Sequence, residues 1–165
     1  MPATPQVPKA SRIDLPTVHR GVDAHLNRFL DAKARSAAAE GFPAEVTEVL
    51  RDLILTGGKR IRPVLCVIGW HAAGGSGDMA PVLRTAASLE MFHASALIHD
   101  DVMDGSITRR GRSSAHKALA ARHADHPHAA RLGTNAAILL GDLALSWSDE
   151  ILHTAGLRPC PTWSF

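Results

Sequence analysis

Residues 99–112 read HDDVMDGSITRRGR, so Asp100, Asp101 and Asp104 stand just ahead of Arg109, Arg110 and Arg112. On a helix, His93, Leu97, Asp100 and Asp104 fall within about 60° of one another, and Asp101 sits roughly 100° round from Asp100, at the edge of that face. Two carboxylates one turn apart can share a hard cation. Magnesium suits them, because it binds through one or two carboxylates and completes its shell with substrate phosphates. As plain helix-end residues the acids would be badly placed, since negative charge is disfavoured where the macrodipole is already negative. A self-neutralising acid–arginine surface patch is the alternative that needs no ligand.

A second cluster, GGKRIRP, occupies residues 57–63. Gly57 and Gly58 permit a tight turn, and Lys59, Arg60 and Arg62 are expected in the first turn of the helix that follows. A helix N-terminus already attracts anions through its free N–H groups and dipole. Three further cations there fit a bound phosphate, or else an ordinary solvated helix end.

The elements that must carry these clusters read as helices. Val18, Val22, Leu26, Phe29 and Leu30 repeat with helical period from Thr17 to about Glu40, after a leader over 1–16 that holds Pro2, Pro5, Pro8 and Pro16. Gly41 ends that helix, and Pro43 fits the first turn of a second, about 44–56. A third runs through KRIRPVLCVIGWHAA, GGSGD is a turn, and the longest apolar helix spans Met79 to about Asp104. Residues 105–130 are mixed, with a loop at HADHPH, and a last helix covers 129–155. Nothing alternates with period two, so the chain reads as all-α. His123, His126 and His128 are expected on the exposed loop, His99 in packing, and Trp70, Phe92 and Trp147 in the core. The last ten residues, GLRPCPTWSF, continue no helix and read as an aberrant tail from a frameshift or truncation.

With 165 residues, 45% of them hydrophobic, the chain can bury a core, and a net charge of +2 gives no reason to expect nucleic acid. Cys66 and Cys160 form no metal-ligand pair, and neither a signal peptide nor a membrane-length apolar run is present, so a cytoplasmic location is expected.

Taken together, GGKRIRP, HASALIHDDVMD and TRRGR, followed by GTNAAILLGDLAL, resemble the trans-isoprenyl diphosphate synthases, or polyprenyl synthetase family, over about residues 17–153. The resemblance implies the N-terminal part of the isoprenoid synthase helical bundle, a Mg2+ requirement, and a homodimer in the full-length family. DDVMD matches the family's first aspartate-rich motif, which makes Asp100, Asp101 and Asp104 the catalytic acids. Asp100 and Asp104 match the metal ligands, with Asp101 the weaker candidate. Lys59, Arg62, His93 and Arg110 match the residues that hold isopentenyl diphosphate, and Arg109 matches a contact to the allylic diphosphate. Arg60 and Arg112 have less secure roles, Arg112 being readable as surface charge.

The implied reaction condenses isopentenyl diphosphate with an allylic diphosphate. Small Ser95 and Ala96 upstream of Asp100 point to geranylgeranyl or longer products. Asp142, Asp149 and Glu150 lack the spacing of the family's second aspartate-rich motif, so the chain alone is expected to be inactive. Two other readings stand beside this one: a non-catalytic subunit paired with a complete synthase, and a class I terpene cyclase fragment. GGKRIRP weighs against the cyclase, which binds one diphosphate and needs no second anion site.

Overall fold

The computed structural model describes residues 13–157. Six helices dominate it: α1 (Leu15–Ala39), α2 (Glu45–Leu55), α3 (Ile61–Ala72), α4 (Ala80–Met103), α5 (Ala115–Arg122) and α6 (Ala129–His153). Strands β1 (Thr108–Arg109) and β2 (Arg112–Ser113) form a small antiparallel ribbon between α4 and α5.

Helix α4 lies at the centre because it is apolar on nearly every side. Val82, Ala86, Ala87, Met91, Ala94 and Ile98 are all buried, and α1, α3 and α6 pack around them. Of the α1 stripe predicted from its period, Val18, Val22, Leu26 and Leu30 are buried in full and Phe29 is partly buried against the core. Each of these side chains contributes about 1.5–3 kcal/mol by leaving water. Glycines bring α6 close to its neighbours. A methyl group at Gly141 would overlap the His99 ring on α4, and one at Gly133 would overlap the α5 backbone at His116. Glycine also stops α1: Gly41 (φ 75°) follows the C-cap Glu40, with Phe42 N–H bonding to Ala37 O at 2.9 Å and Gly41 N–H to Ala38 O at 3.3 Å.

Several expectations shift. Helix α1 begins at Leu15, not Thr17, because Pro16 occupies the first turn, where its missing N–H costs nothing. Pro43 lies just ahead of α2 instead of inside it. The mixed segment contains the ribbon, whose two-residue strands are too short to show a period of two. Phe92 is 52% exposed and so is not a core residue, whereas Trp70 and Trp147 do pack against the core. The first twelve residues of the leader and residues 158–165 of the tail lie outside the described residues. No helix among the described residues is long and apolar enough to cross a membrane.

Candidate active site

The C-terminal turn of α4 divides the three aspartates between two tasks. Asp100 (51% exposed) and Asp104 face outward one turn apart, with Asp104 N–H bonded to Asp100 O at 2.9 Å. Asp101 points the other way, with 1% of its side chain exposed. Both of its oxygens accept from Arg109 Nε, at 2.8 and 2.9 Å, while Arg109 Nη2 reaches Asp100 Oδ2 at 2.9 Å. The hydrogen bond to Asp101 is the main reason the Arg109 guanidinium is held more firmly protonated than usual. Asp101 is therefore enclosed and paired. It is the buried anchor of Arg109, and its place off the Asp100–Asp104 face was the sequence signal for that.

The ribbon turns through Arg110 and Gly111, with φ of 52° and 77°. Two positive φ values mark the turn that matches strand twist, and Asn-Gly or Gly-Gly usually supplies them. An arginine in the left-handed region is strained, and such strain gathers at functional sites. Here it swings Arg110 away from Asp100. Arg110 Nη1 donates to Gly57 O, and its guanidinium lies against Gly58. A Cβ at Gly58 would press on the Arg110 guanidinium at 3.0 Å, and Gly57 (φ 86°) supplies the left-handed turn.

The GGKRIRP segment departs from its expected form. Helix α3 starts at Ile61, and Arg60 is its N-cap in the left-handed conformation, so Lys59 and Arg60 precede the first turn. Lys59 and Arg62 face solvent. Arg60 does not join an anion site, because its guanidinium is buried and already paired. Nη1 meets Glu90 at 2.7 Å, and Nη2 meets Asp23 at 2.7 Å and Ile54 O at 2.9 Å.

His93, two turns before Asp100 on α4, completes the cluster. Burial pushes its pKa below 6.5, and so do nearby Arg62, Arg110 and Arg109, while Glu90 opposes them. A narrow crevice lined by Arg60, Glu90, His93, Leu97 and Arg110 joins these groups. The fold thus gathers Arg62, His93 and Arg110 at one place, with Lys59 on the adjoining turn, and Asp100, Asp104 and Arg109 at the next. Arg112, with Arg109, Arg110 and Arg122, lines a neighbouring cleft of about 140 Å³ against Asp52 of α2 and Thr56 just past its end.

Of the histidines set aside earlier, His99 packs between helices, its Nε2 3.2 Å from Ile138 O and 3.5 Å from Asp142. His126 and His128 are exposed, but His123 is tied to Glu45 of α2 at 3.0 Å. Ser95 turns into the core at 4% exposure, so Phe92, with exposed Ala96, borders the open side of α4 instead. Helix geometry already sets Ala96 near the Asp100 face and Ser95 further round, and the packing of Phe92 is what it did not show.

Asp100 and Asp104, exposed one turn apart, are the side chains here that could hold magnesium, with Asp100 also accepting from Arg109. No group of three or more potential metal-holding side chains occurs among the described residues, and magnesium held by one or two carboxylates commonly completes its shell with water and phosphate.

Comparison with known proteins places the fold and the family. The family model for polyprenyl synthetase matches residues 43–161. A dimethylallyltranstransferase of Fischerella ambigua is 33% identical over 78% of this chain, and the large subunit 1 of the chloroplastic heterodimeric geranylgeranyl pyrophosphate synthase of Arabidopsis thaliana is 36% identical over 79%. The chain spans only 34% and 30% of their lengths. The crystal structure of geranylgeranyl pyrophosphate synthase from Corynebacterium glutamicum, complexed with isoprenyl diphosphate and magnesium, superposes with a TM-score of 0.82 at 39% identity, over 88% of this chain and 43% of that one. With its aspartate pair and paired arginines held by a helical bundle that this structure shares, the chain belongs to the polyprenyl synthetase family.

Proposed function

We propose that the site serves the condensation of isopentenyl diphosphate with an allylic diphosphate, and that Lys59, Arg62, His93 and Arg110 hold the first while Arg109, Asp100 and Asp104 serve the second. One observation carries this reading. Adjacent residues of one ribbon aim their guanidinium groups at two places, Arg109 at the aspartates and Arg110 at the Gly57–Gly58 turn. Two anion positions side by side suit two diphosphate substrates, and a cyclase would need one.

Asp100 and Asp104 would hold Mg2+, which when bound supplies positive charge against a departing diphosphate. Arg109 adds a fixed cation there, pre-oriented by Asp101, so that little reorganisation is needed as the allylic C–O bond breaks. Lys59, Arg62 and Arg110 fix isopentenyl diphosphate so that its double bond faces the allylic carbon. The new carbon–carbon bond forms as that double bond attacks, and the proton then lost has the released diphosphate as its acceptor. Between α4 and α6 runs a groove of about 520 Å³ in which Leu89, Phe92, Leu145 and Leu152 stand beside Ser88, Ser146, Ser148 and Asp149, and its apolar part suits an isoprenyl tail. Ala96 leaves that side open for a geranylgeranyl or longer product, while Phe92 would set the limit. The homodimer implied by the resemblance belongs to the same proposal.

Because the chain spans about a third of its curated relatives, binding is the decisive measurement. Calorimetry is expected to show isopentenyl diphosphate binding that Arg62→Ala weakens about tenfold. Absence of binding by the unsubstituted chain would overturn the proposal. Radiolabelled condensation assays on the chain alone are expected to give little product.

A further inference from the structure

Arg60 and Arg110 are the two non-glycine residues with positive φ among the described residues, and both act on the same four-residue turn. Arg110 presses on Gly57 and Gly58 from the ribbon side. Arg60, 5% exposed, anchors the turn's other end. Its guanidinium ties the turn to three helices at once: α1 through Asp23, α2 through Ile54 O and α4 through Glu90. A left-handed arginine and a buried ion pair both count against stability, and neither persists unless its surroundings over-determine it. What this pairing secures is geometry. Glu90 lies one helical turn from His93, so the anchor of the turn and the histidine share a rigid segment of α4.

We infer that Arg60 is a positioning residue of the proposed diphosphate site, holding the Gly57–Lys59 turn in the path that delivers Lys59 and Arg62 to the side of His93 and Arg110. It touches no substrate in this role. The inference rests on the diphosphate reading given above, and the test separates the two.

Inorganic diphosphate is titrated calorimetrically into the purified chain and four variants, with circular dichroism recording folding and melting. Arg62→Ala reports on the site itself and is expected to weaken binding about tenfold. Arg60→Met is expected to weaken it by a similar factor and to lower the melting temperature, since it strands Glu90. Arg60→Met with Glu90→Leu removes both buried charges, so the melting temperature is expected to recover while affinity stays about tenfold low. Arg60→Lys keeps the charge without the fork and is expected to fold normally and bind several-fold more weakly. Wild-type affinity in a folded Arg60→Lys or double variant, alongside a weakened Arg62→Ala, would overturn the positioning role. An Arg62→Ala chain that binds like wild type, or a wild-type chain that does not bind, would overturn the diphosphate reading and this inference with it.

Discussion

Each aspartate of the DDVMD segment has its own environment, and the environments predict different consequences. Asp101→Asn leaves Arg109 without its buried carboxylate. It is expected to cost roughly 2 kcal/mol in urea unfolding, less than the roughly 3–5 kcal/mol of a fully buried pair, because Arg109 is itself partly exposed. Asp104→Ala touches only solvent-facing atoms and is expected to stay within about 0.5 kcal/mol of wild type while removing Mg2+-dependent diphosphate binding. His93 predicts a pH effect. Its pKa lies below 6.5 in the folded chain, as do those of His25 and His116, with burial the leading cause for each. The unfolded chain therefore binds more protons just below pH 6.5, and stability must fall as pH drops through that range. Melting curves from pH 7.5 to 5 are expected to show this decline, and His93→Gln to reduce it. A bound diphosphate would favour the protonated imidazole, so binding near pH 6.5 is expected to take up a proton through His93. Calorimetry in two buffers of different ionisation enthalpy reads that uptake, and His93→Gln is expected to lower it.

At the level of elements, the ribbon and the α4–α6 contact set the geometry. The ribbon holds Arg110 in a conformation that glycine would adopt without strain. Arg110→Gly is thus expected to keep the melting temperature at or above wild type while weakening isopentenyl diphosphate binding about tenfold, a trade of function against local strain. Loss of stability with intact binding would contradict it. The α4–α6 contact depends on Gly141, whose position leaves no room for a Cβ against the His99 ring. Gly141→Ala is expected to destabilise by about 1–3 kcal/mol, as overpacking does, and to disturb the adjacent Asp100. Denaturant unfolding reports the first effect and Mg2+-dependent diphosphate binding the second.

Across the molecule, exposed large apolar side chains are spread over several helices, and four of them, Leu89 and Phe92 of α4 with Leu145 and Leu152 of α6, meet along one groove. A grouped apolar surface of this kind marks a place where something apolar binds. The chain is expected to bind a hydrophobic fluorescent dye there, and Phe92→Glu to abolish most of that signal without lowering helicity. An unchanged dye signal in Phe92→Glu would remove the groove as the binding place.

Much of this architecture was legible in the residue order. Helical period placed the buried stripe of α1, the continuous apolar run made α4 central, and the spacing of Asp100 and Asp104 put both on one exposed face. Those properties depend on residues near one another in sequence. The remainder depends on partners far apart along the chain. Arg60 reads like Lys59 and Arg62 as a cation of the GGKRIRP run, and only Asp23, Ile54 and Glu90, brought together by three helices, make it a buried anchor. Asp101 reads as a third acid until Arg109 folds back onto it. Phe92 reads as core until α6 is seen to leave its side of α4 open. Sequence by itself determined which residue types lie on which helical face. Tertiary structure decided which charges are spent on one another and which stay free for a ligand, because a charge's role follows from what surrounds it in space.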